Sequence, residues 1–260
     1  MELGISSIAY INDNRTLGEF NTPFDILLDS SEKALTFAEE NDLKICEFLW
    51  DPPSILIKEE GERFMELCND YQAITKQIHA PYSDVNLASH NQWNRRASVE
   101  CYADLAHICK KIGASIYTIH PGSSRYLQGY NKAINTANLL LSVRELLDRI
   151  SGLSITTCIE NMQKKTGILL DLKECEDFFN RINRQDIYFT WDTSHSWTCS
   201  VDVEELWKNL HSYIKNVHIV DNTTKSSDTH PALGSGVIDF QEIFDIVSSY
   251  NYNGAMIIEI

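Results

Sequence analysis

The 260-residue chain carries 22 Lys and Arg against 37 Asp and Glu, a formal net charge of −15. That balance argues against a partner gripped mainly through its phosphate backbone, unless bound metal ions invert the sign locally. With 43% hydrophobic and 23% charged residues, the composition is that of an ordinary globular protein, and no apolar run approaches the ~20 residues of a membrane span.

The opening MELGISSIAY lacks a basic stretch and a cleavage-like site, so no signal peptide is expected. Seven cysteines, odd in number and without a C-x-x-C pair, read as reduced thiols of a cytoplasmic protein rather than a disulfide framework or a cysteine-ligated zinc site.

Short β-branched or aliphatic runs recur at roughly 30–40-residue intervals, each followed by a longer helical pattern. In chain order, a strand is expected over 2–8, then a helix over 30–41, where Ser30 offers a cap and Ala34, Leu35 and Ala38 share one side. A strand over 43–50 precedes a helix over 59–72, and a strand over 76–82 precedes a helix over 98–113. The latter puts Val99, Tyr102, Leu105, Ala106 and Cys109 on one stripe and stops at Gly113. Strands over 115–121, 154–161, 187–193, 214–220 and 254–260 alternate with helices over 131–150, 171–182, 202–212 and 239–250.

Strand–helix alternation without hairpin signals argues for parallel strands joined by crossover helices. Eight strands specify a (β/α)8 TIM barrel, an α/β fold, better than an open sheet. No G-x-G-x-x-G follows the first strand, as a dinucleotide-binding fold would require. No linker-like stretch or internal repeat interrupts 1–260, so one domain is expected. The sequence ends directly after the eighth strand, and the usual eighth helix is missing. Either the chain is truncated or another surface, such as the second subunit of a homo-oligomer, covers that side.

A barrel of this kind does its chemistry at the C-terminal ends of its strands. There the sequence supplies His79 on strand three, His120 on strand four, Glu160 on strand five, Asp192 and His195 on strand six, His218 on strand seven and Glu259 on strand eight. Alternation along a strand puts Glu160 on the face of Cys158 and Thr156, Glu259 on the face of Ile257 and Ala255, and Asp192 opposite Trp191. Cys158 is expected to fill the barrel interior. A single such residue would be a rim cap more often than a ligand. Six consecutive strands ending in imidazole or carboxylate form the ligand set that zinc or manganese accepts.

The segments IHAPYSDVNLAS, IHPGSS, IENM, WDTSH, VHIVDN, DTHPALGSGVIDF and IIEI resemble the xylose-isomerase-like superfamily. That superfamily joins sugar and sugar-phosphate isomerases and epimerases to endonuclease IV, the AP endonuclease family 2. In the isomerase branch the resemblance implies one divalent ion on Glu160, Asp192, His218 and Glu259. Glu160 and Glu259 would be the acid–base pair, and His195 would contact substrate oxygens. In the endonuclease IV branch it implies three zinc ions: one on His79, His120 and Glu160, a second on the shared Glu160 with Asp192, His218 and Glu259, and a third on His195, Asp228 and His230.

Strand one ends ISSIAY rather than in the H-x-S-x-x-G-G of endonuclease IV, and Glu47 stands where isomerase-like members often carry a glutamate. With the acidic charge, these favour an isomerase or epimerase on a small sugar substrate. Glu47, Tyr82 and Lys225 are its expected substrate contacts, with no membrane partner. Lys225 is the nearest cation in a loop that lacks the arginine with which several epimerases hold substrate. A zinc phosphodiesterase of the endonuclease IV kind, for which alone nucleic acid would be a partner, is the alternative. A non-catalytic metal- or sugar-binding barrel is the third.

Overall fold

The computed structural model describes residues 1–11, 20, 22–51, 58–125 and 127–260. Eight strands close into one barrel in chain order: β1 (Glu2–Ser6), β2 (Ile45–Leu49), β3 (Thr75–His79), β4 (Ile116–Ile119), β5 (Thr156–Glu160), β6 (Ile187–Asp192), β7 (Ile214–Ile219) and β8 (Ala255–Ile258). All neighbours are parallel, including the closing β8–β1 pair. Around them lie α1 (Ile8–Ile11), α2 (Pro23–Glu40), α3 (Lys58–Asp70), α4 (Gln92–Lys111), α5 (Gln128–Arg149), α6 (Leu172–Ile182), α7 (Thr193–Thr198), α8 (Val203–Leu210) and α9 (Phe240–Ser249). Among the described residues no helix is long and apolar enough to cross a membrane.

Several helices differ from the sequence expectation, among them the unforeseen α1, which stands where the first strand was expected to run to residue 8. α2 begins at Pro23, capped by the Thr22 hydroxyl, which accepts from the Asp25 N–H at 3.2 Å. Proline suits this first helical position because its missing N–H would be unpaired there. Ser30 and Ser31 lie mid-helix, their hydroxyls satisfied by the Leu27 carbonyl at 3.0 and 2.6 Å, so a serine that reads as a cap here back-bonds instead. α4 starts at Gln92 rather than 98, its amides capped by Asn91. α7, unforeseen, opens directly on β6 with Asp192 as its cap.

The core has two compartments. Ile45, Ile116, Cys158, Ala255 and Ile257 fill the barrel interior, with Tyr188 packed against them. The larger compartment lies between strands and helices and holds fully buried Trp50, Trp191 and Trp207. Trp191 meets Trp207 edge-on at 5.4 Å, so the residue beside it, Asp192, faces inward as alternation requires. Gly4 sits at the closing seam. A Cβ there would lie 2.6 Å from Ile45 Cβ and 2.9 Å from Ile257 Cδ1. Gly4→Ala is therefore expected to lower unfolding stability by about 1–3 kcal/mol through overpacking, read as a lowered urea midpoint. An unchanged midpoint would show that the seam is looser than this packing.

Candidate metal centre

The inward parity of six strands brings their terminal polar residues to one place. Glu160, 1% exposed, is at its middle. Its Oε1 faces His218 Nδ1 at 3.0 Å, and its Oε2 lies 2.8 Å from His120 Nε2 and 3.5 Å from His79 Nε2. Glu259 approaches His218 Nδ1 and His230 Nδ1, each at 3.9 Å. The imidazoles are oriented from behind: His79 Nδ1 lies 2.8 Å from the Ala80 carbonyl and His195 Nδ1 2.8 Å from the Asn161 carbonyl. A carbonyl can only accept, so in both rings Nδ1 carries the hydrogen and Nε2 is left for the shared space.

Asp192 divides its carboxylate. Oδ1 caps α7 by accepting from the His195 N–H at 2.6 Å, while Oδ2 is buried without a hydrogen-bond partner. Asn161 ties the two strands together, its Oδ1 accepting from the Asp192 N–H at 2.7 Å and its Nδ2 donating to the Asp192 carbonyl. The cap turns the chain into α7 at once and swings His195 back over the barrel mouth.

Asp228 and His230 come from the loop between β7 and α9. Asp228 Oδ2 lies 3.0 Å from His195 Nε2 and 2.9 Å from His230 Nε2. His230 holds a left-handed backbone, φ 42°, a conformation that persists only where surrounding contacts enforce it. Asp221 provides such contacts. Fully buried, it accepts from the Gly234 and Gly236 N–H groups on Oδ2 (2.9 and 2.8 Å) and from Asn222 and Ile238 on Oδ1 (2.7 and 3.2 Å). A Cβ on Gly236 would lie 2.2 Å from Asp221 Oδ1, so only glycine fits. Asp221 was not among the expected site residues. Its signal, an aspartate directly after the seventh strand, is too common to stand out.

All nine expected ligands thus meet. Of the three expected substrate contacts, one reaches the cavity. Tyr82 does line the mouth, its ring stacked over His120 at 5.7 Å. Glu47 is fully buried beneath the centre, 3.1 Å from His218 Nε2 and accepting from Asn216 Nδ2 at 3.1 Å. Lys225 turns away, donating to Ser200 and lying over the Trp197 ring. The cavity above the cluster measures about 850 Å³, and Arg125 is the one Arg or Lys among its described lining residues.

Burial alone would lower every imidazole here and raise every carboxylate. For most of them, opposite charges reverse that. Burial is outweighed at His218 by Glu47 and Glu160, and at His195 by Asp192 and Asp228, so both imidazoles stand well above their ordinary range. His230 is pushed up to about 9 by Asp228 and Glu259 against burial. Glu160 and Asp228 fall despite burial, held down by neighbouring imidazoles. At Asp192 burial prevails, reinforced by Asp228 and Glu160, and raises the carboxyl to about 7.

Buried polar atoms are normally paired, yet Asp192 Oδ2 and His230 Nδ1 have no hydrogen-bond partner, and Glu160 Oε2 has ion-pair contacts to His120 and His79 without an aligned hydrogen bond. They belong to this one cluster, within which His79–His120–Glu160 and Glu160–Asp192–His195 each bring ligand atoms within 4.8 Å of one another. This all-nitrogen-and-oxygen set fits zinc or manganese.

A closed parallel barrel with imidazoles and carboxylates gathered at its C-terminal mouth defines a recognisable class of enzyme scaffold. Residues 34–260 match the xylose isomerase-like TIM barrel family, and the chain belongs to that family. It is 25% identical over 262 residues to the uncharacterized protein MJ1311 of Methanocaldococcus jannaschii, covering 100% of this chain and 83% of that one. To a probable endonuclease 4 of Aquifex aeolicus it is 25% identical over 199 residues, 71% of this chain and 69% of the relative. Among solved structures, a D-tagatose 3-epimerase-like protein superposes with a TM-score of 0.81 at 23% identity, over 99% of this chain and 90% of the other, a likeness of fold.

If the unpaired atoms are ligands, zinc added to chelator-treated protein raises the thermal midpoint. A site filled at a hundred times its Kd contributes about 2.7 kcal/mol, read by differential scanning fluorimetry. An unmoved midpoint would speak against a metal centre.

Proposed function

We propose that the protein is a divalent-metal-dependent hydrolase of phosphoesters, related in chemistry to endonuclease IV and taking up to three zinc ions. The observation that carries this is the division of Glu160 between two imidazole groups, His218 on one oxygen and His79 with His120 on the other. A one-ion isomerase does not require the second group as a metal site, nor Asp228 and His230 beside His195. His79, His120 and Glu160 would hold the first ion. Glu160, Asp192, His218 and Glu259 would hold the second, and His195, Asp228 and His230 the third.

Such ions, when bound, supply charge stabilisation to both the attacking and the leaving oxygen of a phosphoester displacement. The chain's own groups do the rest. Backbone carbonyls fix the His79 and His195 rings, and Glu47 braces His218 from below, as a carboxylate behind a ligating imidazole does. Tyr82 offers a flat wall for a sugar or base, and Arg125 is placed to meet an anionic group.

A sugar isomerase or epimerase, using Glu160 and Glu259 as the proton-transfer pair, is the second reading. It is favoured by the net charge of −15 and the scarcity of cations among the described residues of the mouth, which ill suit a DNA duplex. Glu47 and Lys225, which supported it as substrate contacts, both lie off the cavity wall.

Protein purified without chelators is expected to contain more than one zinc per chain and to hydrolyse bis(4-nitrophenyl) phosphate. Glu160→Gln should lower that turnover more than about 100-fold, beyond what loss of an outer partner costs. One ion per chain, no phosphoester cleavage and solvent deuterium entering a ketose would establish the isomerase instead. Nicking of abasic-site duplex DNA would show that DNA reaches the site despite the charge. Glu47→Gln is expected to weaken metal binding about 10–100-fold while leaving KM unchanged; a raised KM with intact metal affinity would return Glu47 to the substrate.

A further inference from the structure

Asp228 is carried on a loop, whereas seven of the other ligands stand at strand ends or on α7 directly after one. A loop carboxylate must be ordered each time an ion binds unless something already orders it, and fixing a side chain has an entropic cost. Asp228 Oδ2 is shared by His195 and His230. Its other oxygen, Oδ1, accepts from the Ser194 hydroxyl. Ser194 is fully buried and lies between Thr193 and His195 in α7.

The direction of that bond is enforced from behind. Asn222 Nδ2 donates to Ser194 Oγ at 2.7 Å and to the Ser227 carbonyl at 2.9 Å. Asn222 Oδ1 accepts from the Thr224 N–H at 2.9 Å and the Thr229 hydroxyl at 3.0 Å. A carbonyl can only accept and a backbone N–H can only donate, so the amide has one orientation. With a donor already pointing at its oxygen, the Ser194 hydroxyl has its hydrogen free for Asp228.

We propose that Ser194, with Asn222 behind it, is the positioning residue that sets the affinity of the His195–Asp228–His230 site separately from the sites around Glu160. This rests on the multi-ion reading above. Ser194 touches neither substrate nor reacting atoms; it presents Asp228 ready for an ion. Without the hydroxyl, Asp228 Oδ1 is left unpaired and the carboxylate turns with its loop.

Zinc is titrated into the full-length metal-free chain in competition with a chromophoric chelator, and cobalt is followed by its visible spectrum. Wild type is expected to take up three ions. Ser194→Ala should retain the tighter ions and bind the last about 10–100-fold more weakly, with a changed cobalt spectrum for that step alone. Ser194→Cys, which keeps the volume but donates weakly, should fall between. Asn222→Asp tests the same point without emptying space: the new carboxylate recruits the Ser194 hydrogen, so the last ion should weaken there too.

Equal affinity for the last ion in wild type and all three variants, or equal weakening of every ion, would overturn the role of Ser194 and leave the multi-ion centre standing. Uptake of a single ion by wild type would overturn both.

Discussion

A carboxylate with 1% exposure in the middle of a barrel needs compensating charge and hydrogen bonds, because an unpaired buried ion is among the costliest things a fold can contain. Glu160 meets that need with imidazoles from three other strands: His79 and His120 on one oxygen, His218 on the other. The arrangement depends on barrel closure, which sets β3, β4 and β7 around β5 at the right height. Closure in turn depends on small contacts far from the chemistry, such as the bare Cα of Gly4 against Ile45 and Ile257. Below Glu160, the Glu47–His218 pair extends the polar core into the barrel, and the apolar layer of Ile45, Ile116, Cys158 and Ile257 seals it from beneath.

Two structural devices position the remaining candidate ligands. Residues at strand ends inherit the rigidity of the sheet. His195 needs one turn of helix, made possible because Asp192 uses one oxygen to cap α7 and keeps the other buried and unpaired. Asp228 and His230 have no strand beneath them, and the loop that carries them is shaped by the buried Asp221 carboxylate gripping four backbone N–H groups. The imidazoles themselves balance the acids, with His195, His218 and His230 all raised against burial by neighbouring carboxylates. Cation binding would displace those protons, since ligating histidine must be neutral.

The surface and the site pull in different directions, and this narrows the chemistry. A centre rich in candidate ligands suits phosphoester displacement, while an acidic molecule with one arginine among the described residues of its mouth suits a substrate smaller than a nucleic-acid duplex. The chain belongs to a xylose isomerase-like barrel family and is also similar to a probable endonuclease 4, so fold alone cannot choose between the two chemistries. The distinction lies in how many of the polar groups at the mouth are organised as ligands.

Much of this was legible in the residues. Strand–helix alternation and inward parity, as at Glu160 beside Ile159 or Asp192 beside Trp191, follow from local periodicity, and local periodicity survives folding. So the barrel and the seven polar residues at its strand ends could be read from the chain, whereas Asp228 and His230 were expected as ligands from the resemblance to endonuclease IV. What could not be read depends on neighbours distant in sequence. Glu47 looked like a substrate contact because isomerase-like members often carry a glutamate there, but its depth is set by β3 and β7 packing around it. Lys225 looked available until the loop turned it onto Trp197. Ser30 looked like a cap until Thr22 and Pro23 started the helix earlier. Asp221, Asn222 and Ser194 are ordinary residues in ordinary local contexts, and they became a clamp only when the loop folded back on β7 and α7. The sequence by itself determined which groups point inward, because side-chain alternation is a local property. Tertiary structure alone decided which of them face the cavity and which brace from behind, because depth and hydrogen-bond direction belong to the closed barrel.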